Sequence, residues 1–140
     1  MRLAISPGLS RRALLLAGLA APTAWALPPR TLSFPRDFGS HPDLRTEWWY
    51  ITGHAMAGAR SFGYQVTFFR SRVDETQGMR SAFAAKQLVF AHAAVTDLAG
   101  GRLLHDQRIA RAGMGAAEAD ERDTRVLLRD WSLERRADGY

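Results

Sequence analysis

Asp43-Leu44-Arg45-Thr46-Glu47-Trp48-Trp49-Tyr50-Ile51-Thr52-Gly53 is the stretch that decides the fold. Side chains alternate across a β-strand. Trp48 and Tyr50 therefore face one way, and Glu47, Trp49 and Ile51 the other. Large aromatics on both faces do not suit an ordinary half-solvated sheet. They suit the wall of a barrel or sandwich, with one face inside and the other covered. A carboxylate and indoles in one wall are also what a pocket for a greasy, polyene-like ligand would use.

Working outward, strands are expected at 48–56, 62–73, 87–97, 102–109, 125–128 and 131–135. In the second, Phe62, Tyr64, Val66 and Phe68 share one face, and Gln65, Thr67, Phe69 and Ser71 the other, as in a half-buried antiparallel strand. Gly58-Ala59-Arg60-Ser61 reads as a hairpin loop and Ala99-Gly100-Gly101 as a turn. Residues 74–85 form a polar loop with one helical turn at 81–85, and 111–123 is expected to be irregular. Three prolines make 27–36 an extended arm, and His41-Pro42 breaks any helix there. The expected fold is all-β: an antiparallel lipocalin-like barrel or sandwich of about six strands. A barrel closed around one ligand takes about eight strands, so the domain at 27–140 reads as incomplete.

Several pieces carry a resemblance to a known family. They are Phe34-Pro35-Arg36-Asp37, His41-Pro42-Asp43 leading into Thr46-Glu47-Trp48-Trp49-Tyr50 and Thr52-Gly53, then the run from Phe62 to Arg70. His92-Ala93-Ala94-Val95-Thr96-Asp97 and Asp130-Trp131-Ser132-Leu133 follow. In this order they resemble the AttH/carotenoid 1,2-hydratase family of secreted lipocalin-like proteins. The resemblance implies two lipocalin-like domains, of which this chain would carry the N-terminal one. It also implies a cofactor-independent hydro-lyase that adds water to an acyclic isoprenoid, or a binder of hydrophobic small molecules.

Composition narrows the alternatives. The chain has no cysteine, which excludes a disulfide framework, a thiolate nucleophile and cysteine-ligated metal. Its formal charge of +5 overstates the folded domain. Removing Arg2, Arg11 and Arg12 from the 19 basic residues leaves 16 against 14 acidic ones. That is too little for a nucleic-acid partner. Residues 1–26 have the three parts of an export signal: a basic region ending at Arg12, an apolar core and a closing Ala24-Trp25-Ala26. Ser10-Arg11-Arg12 followed by an apolar run resembles the twin-arginine motif, so a periplasmic or secreted location is expected.

Hydration of an alkene needs a carboxylic acid with a raised pKa, aromatic faces to stabilise a carbocation and a positioned water. Glu47 is the candidate acid and His92, in line with Leu88 and Phe90, the candidate for positioning water. Trp48, Trp49, Tyr50 and Phe68 are the candidate ligand wall. Each has a plainer alternative. Glu47 would instead pair with an arginine such as Arg45 or Arg70 and lock the first strand. The tryptophans would pack the core, and His92 would be a hydrogen-bonded wall residue. No H-E-x-x-H spacing points to a metal, and no G-x-S-x-G to a serine nucleophile. No cofactor is expected. The expected partners are an isoprenoid or lipid-like molecule, the second domain of a longer parent and a membrane transporter. Three functions stay open: hydratase, non-catalytic carrier and transporter partner.

Overall fold

Thr46–Ala57 forms strand β1 and Arg60–Arg72 strand β2. They are joined by a two-residue turn at Gly58-Ala59, not the four-residue loop that the sequence suggested. Gly58 has φ 62°, the left-handed conformation that a glycine takes at the first central position of such a turn. The turn length sets the register, so Glu47 lies opposite Arg70 and Trp49 opposite Phe68. Gln87–Asp97 (β3) and Arg102–Arg111 (β4) continue the sheet in the order β1-β2-β3-β4, each pair antiparallel.

Three short strands make a second antiparallel sheet, β5 (Ala117–Ala119), β6 (Arg125–Leu128) and β7 (Trp131–Glu134). The strand count among the described residues is therefore seven rather than about six. The added strand is β5, in a stretch whose glycines and alanines hid it. Arg129 N–H donates to the Ala116 carbonyl at 2.9 Å and Asp120 N–H to that of Arg125 at 2.9 Å, which brackets this pairing. The loop before β3 holds a 3₁₀ turn at Asp74–Thr76, and a hydrogen-bonded turn stands at the expected 81–85, where Ala84 N–H donates to the Ser81 carbonyl at 3.0 Å.

This computed structural model describes residues 28–140, and the export signal expected at 1–26 lies outside them. Residues 28–31 carry no regular structure. All seven strands belong to the unit Leu32–Tyr140.

The two sheets form an open sandwich with no closed barrel among the described residues. Phe68, Val89 and Ala91 from the large sheet meet Ala117, Val126, Leu128 and Leu133 from the small one. A fully buried side chain of the Val, Leu or Phe type contributes about 1.5–3 kcal/mol. Strands of three or four residues cover only one end of the large sheet. At its other end, Tyr64, Val95 and Leu104 stay exposed on the same face.

Candidate functional site

The segment 32–45 before β1 is held by charge and hydrogen bonds rather than by regular structure. A 3₁₀ turn at Arg36–Phe38 leads to Gly39, which packs directly against the backbone of Glu121. A Cβ at Gly39 would lie 2.6 Å from the Glu121 carbonyl, so only glycine fits. The Phe38 carbonyl accepts from the Trp49 indole and from the Thr124 hydroxyl, each at 2.9 Å. Ser40 N–H donates to the Asp120 carbonyl at 2.7 Å. The segment thus bridges the large sheet and the loop before β6.

Its centre is a buried ionic cluster. Arg70, 1% exposed, donates through Nε to Glu47 Oε1 at 2.6 Å and through Nη1 to Gln87 Oε1 at 2.6 Å. Nη2 donates to the carbonyls of His41 and Leu44, both at 2.8 Å, and Nη1 also reaches that of Pro42 at 3.5 Å. All five guanidinium N–H groups are thereby used. Glu47 also accepts from the Ser40 hydroxyl at 2.7 Å and from His41 N–H at 2.7 Å. His41 Nδ1 lies 3.1 Å from Glu47 Oε2, and its Nε2 lies 2.8 Å from Asp37 Oδ1. Burial alone would raise the Glu47 pKa. The donors from His41, Ser40 and Arg70 outweigh it and hold the carboxyl below its ordinary range.

Strand alternation then sorts the candidates. Glu47, Trp49 and Phe68 lie on the face that meets the small sheet. Trp48, Tyr50 and His92 lie on the opposite, open face. The two candidate catalytic residues are therefore on opposite sides of one sheet, and the four candidate ligand residues divide two and two. On the open face, Trp48, Phe69, Phe90 and Ile109 fall in one row across all four strands. The rings of Phe69 and Phe90 stack with centroids 4.6 Å apart and an interplanar angle of 7°. The His92 ring sits 5.6 Å from Phe69, in the next row with Tyr50. Trp48 and Ile109 are each 59% exposed. The carboxylates of the large sheet, Glu47, Asp97 and Asp106, all belong to the other face.

A cleft of about 560 Å³ lies beside the ionic cluster, among Pro42, Gln87, Val89, Ala117 and Leu127. None of Trp48, Trp49, Tyr50 or Phe68 borders it. Arg70 reaches its wall with every donor already engaged, so it has none left to hold an anion there. The open aromatic face is the better candidate.

Sequence reasoning passed over His41, Asp37, Ser40 and Gln87, which read as loop or strand-end residues. A signal was present for one pair only: the hairpin register that sets Glu47 against Arg70. Phe69 and Phe90 were legible as face-mates of their neighbours. Their union with Trp48 and Ile109 needed the pairing of four strands.

Residues 25–140 match the family described as AttH-like. The crystal structure of a candidate AttH from Nitrosomonas europaea is similar at 44% identity, with a TM-score of 0.65. The match covers 83% of this chain and 34% of that one, so this chain spans about a third of that protein's length. No curated protein gives a match.

Proposed function

The chain belongs to the AttH-like family, and from that premise we propose that it binds an elongated apolar small molecule and leaves it chemically unchanged. The observation that carries this reading is the row Trp48–Phe69–Phe90–Ile109, an aromatic and aliphatic strip across four strands whose ends, Trp48 and Ile109, are exposed and whose middle, Phe69 and Phe90, is partly buried. Apolar surface that reaches solvent at both ends of such a row supports a binding site there. A flat or polyene-like body laid along it would cover the strip, with Tyr50 and His92 offering polar contacts at its margin. An isoprenoid fits that description.

Catalysis of alkene hydration draws less support. It needs a carboxylic acid that keeps its proton, on the same face as the aromatic rings. Glu47 is biased toward the ionised form and faces away from His92. Export through the segment 1–26, and delivery to or from a membrane transporter, belong to the same proposal.

The test is a titration of the chain with geranylgeraniol, an acyclic isoprenoid alcohol, followed by tryptophan fluorescence. Saturable quenching is expected. It should weaken in Trp48→Ala and Phe90→Ala and persist in Leu104→Ala, which alters the other face. Mass spectrometry of the extracted ligand should return it unaltered. A product heavier by one water would replace the carrier reading with a hydratase, and absence of saturable binding would end both.

A further inference from the structure

We propose that residues 36–44 form an acid-released strap, held on the large sheet by the cluster of Asp37, His41, Glu47, Arg70 and Gln87 and detaching as one piece while the sandwich stays folded. What holds this segment differs in kind from what holds the strands. Residues 36–44 contribute nothing to the apolar core between the sheets or to the side chains packed against it. Only Gly39 and Ser40 are buried within the segment, and Leu44 is exposed. The Phe38 ring lies under the Arg135 guanidinium at 4.8 Å. Attachment is polar instead, through the Phe38 carbonyl, Ser40 N–H and the ionic cluster. A segment with few buried apolar contacts opens at a lower free energy than the core beside it.

The latch is a carboxylate. Three donors converge on Glu47 Oε1: the Ser40 hydroxyl and His41 N–H from the strap, and Arg70 Nε from β2. The His41 ring stands between Glu47 and Asp37, at 3.1 and 2.8 Å. From β3, Gln87 accepts from Arg70 and donates to the Pro42 carbonyl at 3.2 Å. The loop before β6 sets Glu121 3.8 Å from Arg36. A proton on Glu47 leaves Arg70 buried without its ion-pair partner. Lifting the strap relieves that cost, because the carbonyls of His41, Pro42 and Leu44 that enclose the guanidinium leave with it and admit water. Acid therefore weakens the closed form and favours the open one.

The sheet does not need the strap. The β1–β2 ladder runs from Thr46 opposite Ser71 to Ala57 opposite Arg60. The hinge is Arg45, whose carbonyl accepts from Arg72 N–H at 2.8 Å. Every contact invoked is already made within residues 36–135, so the device calls on no partner and no further strand. Release withdraws Ser40 and Pro42 from the wall of the cleft of about 560 Å³. The Trp48 row lies on the opposite face of the sheet, so release is independent of ligand binding there.

The experiment is amide exchange by NMR on the full chain across the acid range. The folded pKa of Glu47 lies below its ordinary value of 4.5. Closure is at full strength above that value and weakens by about tenfold per pH unit between the two. Protection of the Ser40 and His41 amides and of the Trp49 indole N–H should fall with that slope, while the Phe68 and Val89 amides keep theirs. Glu47→Gln should flatten the slope. Thr124→Val removes a donor from the Phe38 carbonyl outside the cluster, and serves if Glu47→Gln does not fold. It should lower strap protection at every pH and keep the slope. Strap amides that lose protection only together with Phe68 and Val89, or that hold it throughout the acid range, would overturn the proposal, as would an unchanged slope in Glu47→Gln.

Discussion

Replacing Glu47 by glutamine keeps the side-chain shape and removes one charge from a cluster that water barely reaches. In the native chain Arg70 and Glu47 have side chains 2% and 13% exposed, in contact at 2.6 Å. Two unit charges about 4 Å apart attract by about 4 kcal/mol at an effective dielectric of about 20. Desolvation offsets much of that in the intact pair. It offsets nothing once a single partner is gone, and breaking a buried pair costs about 3–5 kcal/mol. The amide keeps only one acceptor oxygen of two; with that oxygen toward Ser40 and Arg70, its N–H₂ takes the position of Oε2 beside His41. For a unit of this size a loss of about 3–5 kcal/mol lowers Tm by roughly 12–20 °C. The assay is urea and thermal unfolding followed by tryptophan fluorescence and circular dichroism, on the wild type, Glu47→Gln, Arg70→Met and Glu47→Leu/Arg70→Met. The double variant should lose less than the two single losses combined, because it leaves no lone buried charge. A Glu47→Gln loss below about 1 kcal/mol, the range of a surface pair, would refute the reasoning, as would strict additivity of the two positions.

Acid should loosen the same cluster. The folded pKa of Glu47 lies below its ordinary value of 4.5, so its contribution is fully present above that value and is lost as pH falls through the folded one. Tm measured against pH should therefore fall on the acid side, and less steeply in Glu47→Gln; parallel curves would count against the assignment. Gly39→Ala forces a Cβ to 2.6 Å from the Glu121 carbonyl and should cost about 1–3 kcal/mol as the segment lifts from the sheet. A red shift of Trp49 emission would report the lifting, and an unshifted spectrum with wild-type Tm would contradict it. Leu128→Ala at a fully buried position between the sheets should cost about 2–5 kcal/mol in urea unfolding, and a smaller loss would mean the sandwich is looser than described.

The hairpin shows how near the sequence came to the ionic cluster. A four-residue loop at 58–61 would set Ala57 against Phe62 and Glu47 against Arg72. The two-residue turn sets Ala57 against Arg60 and Glu47 against Arg70. One choice of turn thus separates a surface pairing from the buried one. His41 gave no comparable signal, because its partners Asp37 and Glu47 meet it only after the segment has folded back over β1. The sequence placed the aromatics correctly along each strand. It expected the double-indole strand to be covered on both sides, whereas the small sheet covers one side and Trp48 remains in the open.

From the linear chain alone came the all-β class, the alternation that divides Trp48 and Tyr50 from Glu47 and Trp49, and the likeness to the family, because a period of two and a run of local motifs are properties of neighbouring residues. The joining of Asp37, His41, Glu47, Arg70 and Gln87 and the four-strand apolar row came only from the folded chain. These depend on register and on which strand lies outermost, and long-range pairing sets both.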